Sequence, residues 1–307
     1  MAVRVLPVPP REPAATVLRS VRQALVVGST ANATNVALES AFADAGFDAR
    51  VVDPEQPAGE VEAGDLVLSR VDVRPTLDGP CAGLWETAVA ERAGAILLNR
   101  PRSLYLAHDK LATATVLAQA GVPHPLTVHV AGADVPRGFA SPCVLKPRFG
   151  SWGRDVFLCR DRQGLQRALA EVADRGWFVE GGALVQERVG TGRDDLRVLV
   201  AAGAAVGAVR RIAGPGEWRT NVAAGGRRAP ASLDPGVFRL AVRAVAALGL
   251  DFAGVDLIRD AAGGWVVLEV NGAVDFTEEY SLNGTAVHEQ VIHRLVERVP
   301  LPMCRSR

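Results

Sequence analysis

Lysine is almost missing from this chain of 307 residues. Of its 34 basic side chains only Lys110 and Lys146 are lysine, and all the others are arginine. Cysteine is sparse and scattered, at Cys81, Cys143, Cys159 and Cys304. That spacing suggests neither a disulfide framework nor a cysteine metal site, and the four read as reduced thiols in a cytoplasmic protein. No apolar run approaches the roughly 20 residues that a membrane helix needs. The opening MAVRVLPVPPREPAATVLRS has neither the apolar core nor the cleavage site of a signal peptide. Net charge is absent as well: 34 basic residues balance 34 acidic ones, which favours neither nucleic acid nor an acidic membrane as a partner. What the chain has is apolar bulk. Hydrophobic residues make up 49% and charged residues 22%, the profile of a folded protein with room for two or three lobes.

A lysine kept where arginine is the rule suggests a site that arginine does not fill. The compact ammonium enters a narrow phosphate site that a planar guanidinium would crowd; the plain alternative is two surface positions left by chance. The stretch from Phe252 to Asn271, FAGVDLIRDAAGGWVVLEVN, reads as two apolar strands around a turn. Three polar residues interrupt it. Glu269 and Asn271 are two apart and share a strand face, and a turn centred on Ala262–Gly263 sets Asp256 opposite Glu269. Three oxygen donors on rigid strands suit Mg²⁺, which takes carboxylates together with substrate phosphates. Strand-end charges facing water are the alternative.

Strands at Ala24–Gly28, Ala49–Val52, Asp65–Leu68 and Ala95–Asn99 alternate with helices over 35–45 and 82–93, which predicts a parallel α/β lobe. The loop GSTAN after the first strand is not GxGxxG, so a Rossmann dinucleotide site is disfavoured. One helix is expected over Ser103–Ala120, carrying Lys110. Strands follow at 126–130, 143–146 and 156–159, with Lys146-Pro-Arg-Phe-Gly-Ser-Trp-Gly-Arg between the last two. Gly150 and Gly153 let backbone N–H groups approach an anion, and Ser151 offers a hydroxyl; an ordinary hairpin turn is the alternative. Gln186 and Glu187 end a strand over 183–189, where they face a nucleotide's base or ribose, or simply water. A hairpin of Asp195–Val200 and Ala204–Ile212 carries Arg210 and Arg211 at its end. Being adjacent they face opposite sides, so one of them points into a site.

In order, the segments NRPRSLYLAHDKLATATVLAQAGVPHP, VLKPRFGSWGRDV, LVQERV, DDLRVLV, GAVRRI, EWRTNVAAGG and GLDFAGVDLI with VVLEVNGAVDF resemble the ATP-grasp carboxylate–amine ligases, in the RimK-like glutamate ligase branch. The likeness runs from about Ala24 to about Val299. EWRTNVAAGG and EVNGAVDF are also similar to the LysX-type ligases of carrier-protein lysine and arginine biosynthesis. The resemblance implies an α/β (α+β) ATP-grasp fold of three lobes. After an extension over 1–22 come a parallel α/β lobe over 23–101, a small central lobe over 102–184 and an antiparallel-sheet lobe over 185–307, with the nucleotide between the last two.

The resemblance also implies roles. Lys110 and Lys146 would contact the ATP phosphates, and the loop Phe149–Arg154, with Gly150, Ser151, Trp152 and Gly153, would close over them. Gln186, Glu187 and Arg188 would border the adenine, and Asp195 would help hold the nucleotide. Arg188 stands where the family usually has an aromatic or aliphatic residue. Arg210 would contact the transferred phosphate, with Asn221 and Arg219 near the substrate. Asp256, Glu269 and Asn271 would bind one or two Mg²⁺, with Mn²⁺ as an alternative. The implied reaction joins a small-molecule or peptide carboxylate to an amino-acid amine through an acyl phosphate. An acidic carrier or target protein and a homo-oligomer are compatible with it. A natural-product peptide ligase or cyclase is one competing reading, and a non-catalytic ATP-binding regulator is another. Presence of Arg210, Asp256, Glu269 and Asn271 together argues against the regulator.

Overall fold

The computed structural model describes residues 23–54, 61–72, 75–76, 79–80, 83–132, 134–150, 153–190, 193–222, 225–231, 235–282 and 284–299. The expected N-terminal extension, Cys81, Ser151, Trp152 and Cys304 lie outside the described residues. The first lobe comprises β1 (Gln23–Val27), α1 (Ala33–Asp44), β2 (Asp48–Val52), β3 (Leu66–Ser69), a small hairpin of β4 (Pro75–Thr76) and β5 (Gly79–Pro80), α2 (Leu84–Ala93) and β6 (Ile96–Leu98). Four of these strands form a parallel sheet in the order β2-β1-β3-β6. The apolar runs of β1, β3 and β6 suit strands covered on both faces, while β2, at the edge, carries Asp48 and Arg50.

Two helices, α3 (Pro101–His108) and α4 (Lys110–Gln119), replace the single helix expected over Ser103–Ala120. The break is Asp109, whose backbone leaves the helical region (φ −82°, ψ 99°) and whose carboxylate accepts from the Leu111 and Ala112 N–H groups. Aspartate is worth more capping a helix start than sitting inside a helix, where its side chain competes for backbone hydrogen bonds.

A second sheet is built from β7 (Thr127–Val130), β8 (Cys143–Pro147), β9 (Phe157–Cys159) and, after α5 (Arg162–Val172) and the short α6 (Gly176–Gly181), β10 (Ala183–Glu187). It is antiparallel, in the order β7-β10-β8-β9. The lobe boundary expected after residue 184 falls inside β10, an interior strand of this sheet. Cys143 and Cys159, far apart in sequence, are direct neighbours across β8 and β9, and both are free and buried.

The third sheet contains β11 (Asp194–Ala201), β12 (Ala204–Ile212), β13 (Arg227–Pro230), β14 (Phe252–Arg259) and β15 (Trp265–Asn271), with α7 (Pro235–Leu248) inserted before β14 and α8 (Val287–Arg298) closing the chain's regular structure. The order is β13-β12-β11-β14-β15, antiparallel throughout. Val237, Ala241, Ala244, Val245 and Leu248 recur at helical spacing and are buried. They pack with Leu196, Val198 and Val200 on one face of the sheet, each fully buried valine or leucine contributing roughly 1.5–3 kcal/mol. The opposite parity of β11 points to the other face. There Leu199 and Ala201 pack with Phe252, Phe276, Tyr280 and residues of α8, while Asp195 and Arg197 make the same face charged at its other end.

Buried side chains fasten the first lobe to this sheet and to the segment that follows β15, Asn99 and Arg70 among them. Asn99, buried at φ 63°, donates to the carbonyls of Phe252 and Gly272 and accepts from the N–H groups of Asp251 and Phe252. Arg70, also buried, donates to Asn35, to the Val274 carbonyl and to Asp275. Among the described residues, no helix is long and apolar enough to cross a membrane.

Candidate active site

Asp256 does face Glu269 across the β14–β15 hairpin, by a route the sequence does not display. Near the turn Arg259 pairs with Trp265 and Leu257 with Val267, a ladder centred on Ala262 rather than between Ala262 and Gly263. A bulge at Leu268 then restores Asp256 to Glu269. A bulge sets two residues against one and re-aims the side chains beside it. Leu268 and Glu269 accordingly both line one cleft.

That cleft, open to solvent, lies between the second and third sheets. Val144 and Val156 on one side and Ile258 and Leu268 on the other make an apolar slot suited to a flat ring. Glu187, Arg188 and Trp218 also line the cleft, the Arg188 guanidinium lying 5.5 Å from the Trp218 ring centroid, within cation–π range.

Both lysines reach the same cleft from different elements. Lys110, the first residue of α4, donates from Nζ to the Gly150 carbonyl at 2.5 Å and pairs with Glu269 at 3.1 Å. Lys146, on β8, donates to Gln186 Oε1 at 2.8 Å, and Gln186 donates in turn to Thr127 Oγ1 at 2.9 Å. Gln186 therefore holds a lysine. Burial, reinforced by repulsion from Lys110 and opposed by Glu269, lowers Lys146 to about 8 from an ordinary 10.5. Arg148 grips both oxygens of the buried Asp109 at 2.8 and 2.5 Å, and the Lys110 N–H donates to the Arg148 carbonyl. One arginine thus ties the start of the glycine loop to the helix that presents Lys110. At the loop's far end Gly153 adopts φ +70°, and a Cβ there would come within 3.2 Å of Asn221 Oδ1. Arg219 donates to the Gly153 carbonyl at 3.0 Å. The glycine loop and the segment around Arg219 and Asn221 meet across the cleft.

The floor is a lattice of charges. Arg197 donates to both oxygens of Asp256, at 2.6 and 2.8 Å. Arg211 donates to both oxygens of Asp195, at 2.7 and 2.6 Å, and reaches Asp256 at 2.8 Å. Thr220 Oγ1 donates to Asp195 at 2.5 Å. Burial opposes ionisation of Asp256, but the two guanidiniums hold its carboxyl down at about 2. Burial likewise opposes the Glu269 carboxylate, but Lys110 and Lys146 together outweigh it, so that carboxyl too sits below its usual range. For Asp195 burial prevails over Arg211 and moves it up.

Two expected residues are not in the cleft. Arg210 points to the opposite face of β12, half-exposed and paired with Asp194 at 3.3 Å, while Arg211 points in. Asn271 turns its Oδ1 to the Ala273 N–H at 2.9 Å instead of joining Asp256 and Glu269 among the lining residues. Asp195 does line the cleft, but its oxygens are taken up by Arg211 and Thr220. The sequence reading missed Arg197, Thr220, Leu268 and the Asp109–Arg148 clamp. Arg197 was accessible, since it lies two residues after Asp195 and so shares its strand face; the bulge at Leu268 leaves no mark in composition or spacing.

Mg²⁺ fits part of this donor set. A carboxylate offers about four lone-pair positions; Asp256 uses three, which leaves one at Oδ1. Glu269, whose side chain is 35% exposed, forms an ion pair with Lys110 at 3.1 Å. The two carboxylates face each other on paired strands. Among the described residues no group of three or more His, Cys, Asp or Glu stands ready to enclose an ion, so an ion here would complete its shell with water and phosphate oxygens.

Two antiparallel sheets closing on a cleft of this chemistry are the architecture of the ATP-grasp enzymes. The ATP-grasp ligase PsnB, solved with its minimal precursor, matches this fold with a TM-score of 0.67 over 91% of this chain and 100% of that one, at 20% identity. The profile of the RimK-like ATP-grasp domain matches residues 107–295. A probable alpha-L-glutamate ligase of Mannheimia succiniciproducens is 36% identical over 241 residues, 76% of this chain and 77% of that protein. The glutamate–LysW ligase ArgX of Sulfurisphaera tokodaii is 30% identical over 199 residues, 63% of this chain and 70% of that protein. The chain belongs to the RimK-like ATP-grasp family and is an ATP-dependent carbon–nitrogen ligase.

Proposed function

We propose that the chain joins a substrate carboxylate to the amine of an amino acid, glutamate first among the candidates, through an acyl phosphate. The observation that carries this reading is the meeting of Lys110, Lys146, Asp256 and Glu269 in one cleft beside an apolar slot. The glutamate ligase name of the Mannheimia relative supports the choice of amine. In this reading the slot takes adenine, with Glu187 and Arg188 at its edge. Lys110 and Lys146 hold phosphate oxygens, and Gly150 and Gly153 close the loop over them. Asp256 and Glu269 would hold one or two Mg²⁺, with Asn271 brought in from its turn; bound Mg²⁺ supplies neutralisation of phosphate charge.

A substrate carboxylate oxygen attacks the γ-phosphorus, and the bond to the β,γ-bridging oxygen breaks with its electron pair leaving on ADP. Such transfer demands positioning and charge neutralisation more than covalent help. Arg211 is the guanidinium placed for the transferred group, in the role first expected of Arg210. The amine nitrogen then attacks the acyl carbon, the carbon–oxygen bond to phosphate breaks, and the nitrogen's proton passes to phosphate or solvent. Arg219 and Asn221, held against Gly153, exclude water that would hydrolyse the acyl phosphate.

The test is ADP release with amino acids paired against small carboxylic acids and short peptides, products read by mass. ADP and amide formed together, one for one, is the expected result. No pair raising ADP above the rate with ATP alone would overturn the reading. A carrier-protein substrate is the second reading, supported by the LysW ligase relative; it predicts a mass increase of one residue on an acidic partner protein rather than on a free acid.

A further inference from the structure

Three arginines share the charged face of the third sheet among the described residues, and they differ in what holds them. Arg197 is spent on Asp256, and Arg211 on Asp195 and Asp256, all within the buried lattice. Arg228 lies directly opposite Arg211 on β13, so it projects from the same face one strand further from the lysines. Its guanidinium packs over the buried Tyr280 ring at 5.8 Å, and Tyr280 also lies close enough to Arg197 to act on its charge. Arg228 Nε is buried and has no hydrogen-bond partner among the described residues. Its carboxylate partner is Glu279, at 2.7 Å, on a side chain that is 58% exposed. Glu279 sits in the short turn Glu278–Tyr280, outside the lattice.

We propose that Arg228 is a specificity-determining residue that binds a substrate carboxylate which does not react, and that Glu279 occupies its place until the substrate displaces it. This rests on the ligase reading and deepens it. An amide-forming ligase must keep one carboxylate for activation and hold any other by charge. Arg197 and Arg211 would expose buried carboxylates if they exchanged partners, a penalty of several kcal/mol. Exchange at Arg228 replaces one solvated carboxylate by another and lets Nε gain a partner, making the bidentate grip that a guanidinium favours. Two sources carry such a group: the α-carboxylate of a free amino acid, and the C-terminal carboxylate of an acidic peptide.

The experiment measures binding by calorimetry in the presence of Mg²⁺ and a non-hydrolysable ATP analogue. One arm uses L-glutamate against its α-amide, the other the dipeptide Ala-Glu against its C-terminal amide. Wild type is expected to prefer the acid about tenfold or more in one arm, as loss of a charged hydrogen bond requires, and that arm identifies the source. Arg228→Gln should bring acid and amide within about twofold, and Arg228→Lys should restore part of the difference. Glu279→Gln should tighten acid binding and leave amide binding unchanged, which decides the matter even if Arg228→Gln fails to fold. No acid preference in either arm, a preference that survives Arg228→Gln, or no effect of Glu279→Gln overturns the proposal. Substrate-dependent ADP release with an unaltered KM in Arg228→Gln removes this subsite while leaving the ligase standing.

Discussion

One face of the five-stranded sheet has two ends that were built by the same alternation and ended differently. At one end Leu199, Ala201, Phe252, Phe276 and Tyr280 make a dry contact with α8 and with the first lobe. At the other, the same strands bring up Asp195, Arg197, Arg211 and Asp256. The apolar end needs nothing beyond shape and area. The charged end takes two carboxylates and two guanidiniums out of water, an arrangement that apolar residues of similar volume would often match or exceed in stability. Such a lattice is explained by what it faces, the cleft with both lysines and Glu269, better than by folding. The first lobe is bolted to the dry end by Asn99 and Arg70, which leaves the charged end open to the cleft.

The comparison breaks most visibly in stability. Arg211→Ala leaves two buried carboxylates short of a counter-charge and should cost about 3–5 kcal/mol; Phe252→Ala at the dry end should cost about as much, 3–5 kcal/mol, by cavity formation. Urea unfolding against pH separates them. Asp256 is held at about 2 against an ordinary 3.8, so its contribution is present above the ordinary value and disappears as pH falls through the lowered one. The Arg211→Ala deficit should shrink on acidification through that window, and the Phe252→Ala deficit should not follow it. Next in size, Lys146→Arg should lower ATP turnover at least about tenfold with charge preserved, measured by steady-state ADP release; equal turnover would mean that the survival of lysine at this position is accidental.

A smaller effect concerns pH and the nucleotide. Lys146 titrates at about 8 in the free protein, and its protonated form is the one that holds phosphate. ATP affinity measured by calorimetry should therefore weaken as pH rises above about 8, and the slope should flatten in Lys146→Arg. The charged form is disfavoured by burial, so this group alone makes the free protein gain stability between the lowered value and lysine's ordinary 10.5. The smallest effect is at Arg210, half-exposed and paired with a half-exposed Asp194. Arg210→Ala should change unfolding by no more than about 0.5 kcal/mol and leave turnover near wild type.

How much could be read in advance follows from how local each cause is. Strand–helix alternation and the existence of the β14–β15 hairpin depend on neighbours in sequence, and both were legible; its register, reset by the bulge at Leu268, was not. The choice between Arg210 and Arg211 depends on the absolute phase of β12, set by its pairing with Asp195 and by an irregularity between Leu199 and Val200; alternation alone says only that the two differ. The break at Asp109 was hidden because its helix-capping role is reinforced by Arg148, 39 residues away. Cys143 and Cys159 looked unrelated because adjacency across strands has no fixed spacing in sequence. Asn271 shares a strand face with Glu269 yet is taken by the turn that follows it, a local hydrogen bond to Ala273.

The most direct measurement is substrate-dependent ADP release by Glu269→Gln beside wild type, with thermal unfolding of both. Glu269 lies at the rim of the lattice, paired with Lys110 and partly exposed, so the substitution should leave the melting temperature within a few degrees. A fall in turnover of about a hundredfold or more, of the size seen when one electrostatic group is removed from a reacting centre, is the expected result. A folded Glu269→Gln protein that releases ADP at the wild-type rate would contradict the placement of the reaction in this cleft.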